Sequence, residues 1–162
     1  MQESARTATG ADAARIVELA VQLRAELRAI KGGAMWLQRE AWPEPLRDTY
    51  AALVRDGEAD ATTVRVVVGT IDEVVVGYGV VTVEGLRSGG ALGLVTDLFV
   101  EPEARAVGVG ECIAELLVDF CAARGCTGVD ALALPGHRAA KNFFERHGFT
   151  ARAHTMHRSL RG

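Results

Sequence analysis

The chain has 162 residues, of which 49% are hydrophobic, and its 18 basic and 21 acidic residues give a formal net charge of -3. This composition excludes a disordered chain and, at this length, predicts a single domain over residues 1–162. Because the basic residues form no run along the sequence, we expect neither nucleic acid nor an anionic membrane surface as a partner.

Cysteine usage and apolar patterning predict a cytoplasmic protein. The three cysteines, Cys112, Cys121 and Cys126, are odd in number, and two fall on one predicted helix, which argues against a disulfide framework. No apolar run is long enough to span a membrane, and the first residues lack the apolar core of a signal peptide.

The first third of the chain predicts one strand and two helices. Arg6–Thr9 is typical of a short strand, and Asp12 caps a helix whose apolar residues recur at spacings of three and four. Lys31–Gly33 ends that helix. The next segment, Ala34–Pro45, has no clear period and holds both tryptophans, and a second helix is expected over Glu44–Arg55.

After residue 61 the apolar period changes to two, which predicts strands. Thr63–Gly69, Val74–Glu84 and Gly93–Val100 are joined by short polar or Gly-rich segments. Consecutive strands with such short connections favour an antiparallel meander.

The last third predicts a crossover helix that ends near Arg124, a strand over Val129–Leu134 and a short helix over His137–His147. A connection through a helix makes the strand a parallel neighbour of the one that ends at Val100. Phe149–Leu160 can supply one or two final strands. The predicted fold is therefore α/β, with a central mixed, mostly antiparallel twisted sheet of six to seven strands flanked by about four helices.

The segment Arg105–Gly110 (RAVGVG) lies between a predicted strand and a predicted helix. The first N–H groups of a helix lack intrahelical acceptors, and glycines without Cβ let a phosphate approach them. The pattern predicts a phosphate-bearing ligand, most simply a pyrophosphate. A dinucleotide-binding turn would need a third glycine where Ile113 stands, and a nucleoside-triphosphate loop would need Gly-Lys-Ser/Thr where Gly110 is followed by Glu111.

Two segments carry a resemblance to a known family. Arg105-x-x-Gly108-x-Gly110 follows Asp97–Pro102 (DLFVEP), and Ala140–Phe149 (AKNFFERHGF) comes about 30 residues later. With both segments in this order, the sequence resembles the GNAT superfamily of acetyl-CoA-dependent N-acetyltransferases over about residues 5 to 160. The resemblance implies a GNAT-like single domain and acetyl-CoA as the co-substrate.

The resemblance also implies which residues hold acetyl-CoA. The pantetheine arm would pair with the backbone of Leu98, Phe99 and Val100, in a gap where two strands splay apart. The pyrophosphate would be held by the main-chain N–H groups of Arg105, Ala106, Val107, Gly108, Val109 and Gly110. Further contacts would come from the last helix and its start, through His137, Asn142 and Phe144.

The implied chemistry is direct acyl transfer from the thioester to an amine. The family commonly has a tyrosine acid at the position of Phe144, so that phenol is absent here. His137 stands where the family often has an asparagine, and it can serve as a polar contact, as an acid, or only as a helix cap. Asp97 is the candidate general base. The alternative is that Asp97 is an ordinary residue at a strand end, without a role in catalysis. Other members use a glutamate where this chain has Leu94.

Two functions from different classes remain. The first is an N-acetyltransferase that moves an acetyl group from acetyl-CoA to a primary amine, on a small molecule or a protein, by direct attack in a ternary complex. The alternative is a non-catalytic GNAT-like module that binds acyl-CoA. Trp36 and Trp42 either wall the acceptor pocket or cover the helix pair.

Two smaller expectations concern assembly and metals. The apolar C-terminal strands allow a homodimer. His154 and His157 are three residues apart on a predicted strand and would face opposite sides, so the sequence predicts no shared metal ion.

Overall fold

Five strands, five α-helices and two short 3-10 turns make up the regular structure of the computed structural model, which describes residues 1–161. The strands are β1 (Glu3–Thr7), β2 (Val64–Ile71), β3 (Val74–Gly85), β4 (Ala91–Val100) and β5 (Cys126–Ala131). The helices are α1 (Ala13–Arg28), α2 (Gly33–Arg39), α3 (Leu46–Gly57), α4 (Val109–Ala123) and α5 (Arg138–Arg146). None of the helices in this described range is long and apolar enough to cross a membrane.

The strands lie in one sheet in chain order. β1 to β4 are antiparallel neighbours, whereas β5 joins β4 in parallel after the connection through α4. The predicted mixed, mostly antiparallel sheet is therefore confirmed. The parallel pairing covers only Ala91–Val95 of β4, and the strand continues to Val100 with its edge toward β5 unpaired.

Helices cover both faces of the sheet because its central strands bury apolar side chains on both faces. On one face, Val66, Val68 and Val80 pack in a core with α1, α2 and α3. On the other face, Val67 and Val81 pack against α4. The valine-rich strands thus lie between two helical layers, as strands with near-continuous apolar sequences usually do.

The predicted count of six to seven strands is wrong, because residues 149–161 form no strand. Their large apolar side chains beyond Phe149 are only Met156 and Leu160, so a strand there would bury little apolar area. Residues 150–161 are exposed, and Arg152 reaches back to form an ion pair with Asp130 on β5, with Nε 2.8 Å from Oδ1.

Two further differences concern the segment after α1 and the last strand. The first part of the segment Ala34–Pro45, expected to be irregular, belongs to α2 (Gly33–Arg39) and buries Trp36, so there are five helices rather than about four. β5 begins three residues before the predicted Val129, because Gly125, with a φ of 74°, ends α4 and the chain enters the sheet directly. Leu132 and Leu134 consequently lie beyond the strand.

The close approach of α4 to the sheet depends on glycine. A Cβ at Gly69 would lie 2.5 Å from Val109 Cγ1 and 2.7 Å from Ile113 Cδ1. We expect Gly69→Ala to lower the free energy of unfolding by about 1–3 kcal/mol, since α4 would have to shift. In the control Gly85→Ala the added Cβ meets nothing within 4 Å, and this variant should be neutral or slightly stabilised. Urea denaturation measures the free energy of unfolding of both variants. If the two values were equal, the close packing of α4 on Gly69 would not be a constraint on stability.

Candidate active site

Two adjoining cavities lie where β4 and β5 part. The larger one, the outer cleft, has a volume of about 260 Å³ and reaches the start of α4. The smaller one, the inner cavity, has a volume of about 50 Å³ and lies between β4, α1 and α2. The residues that line both cavities mark their junction: Leu23, Leu98, His137, Ala140 and Phe144.

The turn before α4 carries a row of unpaired backbone donors beside the outer cleft. The N–H groups of residues 106–111 find no acceptor among the described residues, and the first bond of the helix runs from Cys112 N to the Gly108 carbonyl oxygen, at 3.1 Å. Ala106 (φ 66°) and Gly108 (φ 97°) both adopt the left-handed region, which is uncommon for a residue with a Cβ. Unpaired N–H groups at a helix start make a site for an anion.

Charged side chains surround the mouth of the outer cleft. Arg105 donates from Nε to the Val100 carbonyl oxygen at 2.7 Å and from Nη2 to Glu26 Oε2 at 2.7 Å. The other oxygen of Glu26 lies 3.4 Å from His137 Nε2. Arg146 and Glu111 also line the cleft. The Arg105 guanidinium is thus already bonded within the protein, and its backbone N–H donates to the Pro102 carbonyl oxygen at 3.4 Å. The free donors of the turn therefore begin at Ala106, and the pyrophosphate contact predicted for the Arg105 N–H stays a prediction.

α5 closes the far side of the outer cleft. A Cβ at Gly110 would lie 3.1 Å from Phe143 Cε1, so the glycine lets α5 pack against the start of α4. Phe143 and Phe144 form an edge-to-face pair with ring centroids 5.5 Å apart, and Phe144 packs in turn on Phe149. This aromatic cluster gives the wall of both cavities a rigid apolar surface.

Asp97 lies at the inner cavity, 4% exposed, and four side chains donate hydrogen bonds to its carboxylate. The Tyr50 and Tyr78 hydroxyls donate to Oδ2 at 2.5 and 2.6 Å. The Thr96 hydroxyl donates to Oδ1 at 2.7 Å, and the single N–H of the Trp42 indole is shared between Oδ1 at 3.0 Å and Thr96 Oγ1 at 2.9 Å. Because a carboxylate has about four acceptor positions, these donors can satisfy a buried charge.

The tyrosine donors stay protonated. Burial first, and then the charge of Asp97, raise the pKa of the Tyr78 phenol well above its ordinary value. The same two causes raise the pKa of Tyr50. Both phenols therefore remain hydrogen-bond donors to Asp97 through the pH range in which proteins work.

A β-bulge sets the orientation of Thr96 and Asp97. In the pairing of β3 with β4, Val80 lies opposite Asp97 and Val81 lies opposite Val95, so Thr96 is the extra residue. Consecutive strand residues normally point to opposite faces, whereas here the Thr96 hydroxyl and the Asp97 carboxylate meet. Bulges commonly redirect side chains in this way at functional sites.

The structure brings most of the predicted site residues to these cavities. The outer cleft is lined by Leu98, Phe99, Val100, Arg105, Ala106, Gly110, His137 and Phe144. The inner cavity is lined by Asp97, Leu98, His137 and Phe144. Val107, Gly108 and Val109 belong to the turn but line neither cavity, and the Val109 side chain lies in the core, so only their backbone can contribute.

Asn142 does not reach the site. It is exposed and lines neither cavity, because the helix face of Ala140, Phe143 and Phe144 turns inward and Asn142 falls outside it. The cofactor contact predicted for Asn142 stays a prediction that this geometry does not support. The roles predicted for Asp97 and His137 stay predictions, although both side chains line the inner cavity.

Several site residues were not found from the sequence. Glu26 lies on α1, Tyr50 on α3 and Tyr78 in the middle of a valine-rich strand, far apart along the chain. An isolated polar group in an apolar stretch, as at Tyr78, is the signal that could have drawn attention to it. Of the two tryptophans, Trp36 lines the inner cavity and belongs to the core, while Trp42 bonds to Thr96 and Asp97.

Cysteines and metal ligands do not add to the site. Burial, and then the neighbouring Cys126, raise the pKa of the Cys121 thiol to about 12, so it is not a nucleophile. All three cysteines are free. Within residues 1–161, no group of three or more His, Cys, Asp or Glu side chains is arranged to hold a metal ion.

Known proteins of several kinds resemble this chain. A family model described as "Acetyltransferase (GNAT) family" matches residues 32–149. A tetramutant of the BH1408 protein from Bacillus halodurans is 21% identical, with a TM-score of 0.76 over 96% of this chain and 99% of that chain. Glucosamine-6-phosphate N-acetyltransferase from Arabidopsis thaliana is 19% identical, with a TM-score of 0.70 over 99% of both chains.

An aminoglycoside acetyltransferase from an uncultured soil metagenomic sample, in complex with sisomicin, is 16% identical, with a TM-score of 0.70 over 98% of this chain and 95% of that chain. At these identities the three solved structures show a common fold alone. No curated protein sequence matches the chain. The family model, however, covers most of its length, and the chain therefore belongs to the GNAT family of acetyltransferases.

Proposed function

We propose that the protein is an N-acetyltransferase that moves an acetyl group from acetyl-CoA to a primary amine in a ternary complex. One observation carries the proposal: the turn whose N–H groups are unpaired over residues 106–111 borders the outer cleft, which Ala106, Gly110 and Glu111 line, beside the unpaired edge of β4. Donors for an anion next to an open strand edge suit a ligand with a diphosphate and an amide-bearing arm.

The donor set supports the fit of a coenzyme A thioester. The N–H groups of residues 106–111 would hold the pyrophosphate, and Arg146 adds positive charge at the cleft. The backbone of Leu98, Phe99 and Val100 would pair with the pantetheine arm, because β5 no longer occupies that edge. His137 and Phe144, at the junction of the two cavities, would flank the reactive end.

Bound acetyl-CoA would supply a thioester, whose carbonyl carbon forms a C–N bond with the amine as the C–S bond breaks and the sulfur leaves with the electron pair. The protein's part is to bind and orient the amine, to donate a backbone N–H near Val100 to the oxyanion, and to remove a proton from the amine. A thiol has a pKa of about 8.5, so release as thiolate at pH 7 costs only about 2 kcal/mol. The absence of a phenol at Phe144 is therefore tolerable.

Asp97 and His137 are the proposed proton-transfer groups, since they are the ionisable side chains that line the inner cavity. Asp97 would act as the base, and His137 as a polar contact or acid.

The alternative function, a module that binds acyl-CoA without turnover, has one observation in its favour. The four donors on Asp97 occupy its acceptor positions, so a donor must move before Asp97 can take a proton.

The solved structures with this fold do not select the acceptor. Their names point to an aminosugar phosphate, an aminoglycoside and, for a protein from Brucella melitensis, an alanine of a ribosomal protein. We infer a cytoplasmic location from the free cysteines. A homodimer stays a prediction.

Two measurements test the proposed function directly. Calorimetry should find acetyl-CoA binding, and thiol release from acetyl-CoA should accelerate when a panel of primary amines is added. Binding without turnover on any amine would favour the non-catalytic module. If the protein did not bind acetyl-CoA at millimolar concentration, the proposed function would be wrong.

The turn before α4 supplies a matched pair of variants. Gly108 has a φ of 97°, so Gly108→Ala strains the turn and should weaken acetyl-CoA binding about tenfold. Gly125 also has a positive φ, of 74°, and an added Cβ there meets nothing within 4 Å, but it lies at the other end of α4. Gly125→Ala should therefore lose stability without losing acetyl-CoA affinity. Calorimetry measures the affinity of both variants for acetyl-CoA. If the two affinities were equal, the turn before α4 would not belong to the binding site.

The role of Asp97 as a base can be tested through the pH dependence of the rate. Asp97→Asn keeps the size of the side chain and removes the base. At high pH much of the amine is already unprotonated, so the rate should fall most at low pH, where a base matters most. Rates measured from pH 6 to 9 in both proteins give the comparison, and a profile of unchanged shape would exclude Asp97 from that role.

A further inference from the structure

The inner cavity is apolar apart from one polar corner. Aliphatic and aromatic side chains form most of its wall, among them Leu27, Trp36, Leu132 and Leu134. Thr96 and Asp97, which are bonded to each other, form that corner, and His137 adds a polar group at the junction with the outer cleft. A molecule that enters this space therefore meets hydrogen-bonding groups at Thr96 and Asp97 and carbon along most of the wall.

The negative charge of Asp97 has hydrogen-bond donors but no ion-pair partner in residues 1–161; the Arg24 guanidinium, which is close enough to act on the Tyr50 phenol, bonds instead to the Trp42 carbonyl oxygen at 3.0 Å. Tyr50, Tyr78, Trp42 and Thr96 satisfy its oxygens, and Asp97 forms no ion pair among the described residues. A buried charge without a counter-ion attracts a cation strongly, because the surroundings screen it poorly. The adjoining cavity offers the space for that cation.

Thr96 is the group through which a cation can approach this charge. Its hydroxyl donates its one hydrogen to Asp97 Oδ1 at 2.7 Å and accepts the Trp42 indole N–H at 2.9 Å. A hydroxyl oxygen has two lone pairs, so one is left, and Thr96 lines the cavity. The remaining acceptor position and the charge behind it suit an ammonium group.

We propose that the inner cavity binds the ammonium head of an acceptor with an apolar stem, that Thr96 Oγ1 accepts a hydrogen bond from it, and that Asp97 provides the counter-charge. This inference rests on the proposed transfer to an amine and names the class of amine. Alkyl or arylalkyl amines fit the leucine and tryptophan walls. The hydroxyl groups of an aminosugar would lack partners there, which makes such an acceptor unfavourable.

The amine class can be tested on the unmodified protein. Calorimetry without acetyl-CoA should find hexylamine binding at least about tenfold more tightly than glucosamine at a pH at which both are cationic. Hexanol, which has the same stem without the charge, should bind more weakly than hexylamine. If glucosamine or hexanol bound as tightly as hexylamine or more tightly, the inference would be overturned.

A matched pair of variants tests the role of Thr96. Thr96→Val removes the hydroxyl at nearly constant size and should raise both the Kd and the KM of hexylamine about tenfold to a hundredfold. Thr96→Ser keeps the hydroxyl and should stay within a few-fold of the parent. Acetyl-CoA affinity and the thermal midpoint, measured on both variants, report any general damage. Equal amine affinity in both variants, with folding intact, would overturn the assignment.

The outcomes separate this inference from the function on which it rests. If acetyl-CoA binds and aminosugars are acetylated while hexylamine is not, acetyl transfer stands and the apolar acceptor class is wrong. If acetyl-CoA does not bind, the proposed function fails, whereas the hexylamine titration still reports on the inner cavity by itself.

Discussion

The end of the pairing between β4 and β5 is the constraint on which the rest of the site depends. Because the parallel ladder stops at Val95 and Ala131, β4 runs on to Val100 with an edge that no strand covers. An uncovered edge inside a protein leaves backbone groups that need partners. The outer cleft and the inner cavity lie along this edge, and the turn before α4 adds its own unpaired donors at the outer end.

Asp97 shows how the fold tolerates a carboxylate at the base of this gap. Burying an unpaired charge is costly, and the cost falls when several donors surround it. The donors come from α3, from β3, from the segment after α2 and from β4 itself, so the carboxylate links elements that are distant in sequence. The same bonds hold the bulge at Thr96 in place. A group that stabilises the local backbone therefore also fixes the polar corner of the inner cavity.

Features that depend on neighbouring residues could be predicted from the sequence better than contacts between residues that are far apart in the chain. The turn with Gly108 and Gly110 needs only its own residues and the strand and helix beside it, so it was found. The bonds between Tyr78 and Asp97 depend on strand register and on a bulge that no local pattern reveals. The expected strands after Phe149 failed for a related reason, since β-propensity has little effect without a surface on which to pack. Helix phase places Asn142 outside both cavities, which the motif by itself does not reveal.

The two ends of the paired cavities prefer opposite charges. Unpaired N–H groups at the start of α4 favour an anion at the outer end, and the Asp97 carboxylate favours a cation at the inner end. An elongated ligand with a diphosphate at one end can therefore lie in only one direction, with its uncharged end toward the junction of the two cavities. A cationic amine is drawn to the inner end by the same field. Two reactants with different charges would thus meet at the junction lined by His137 and Phe144, without needing contacts that recognise each of them along its whole length.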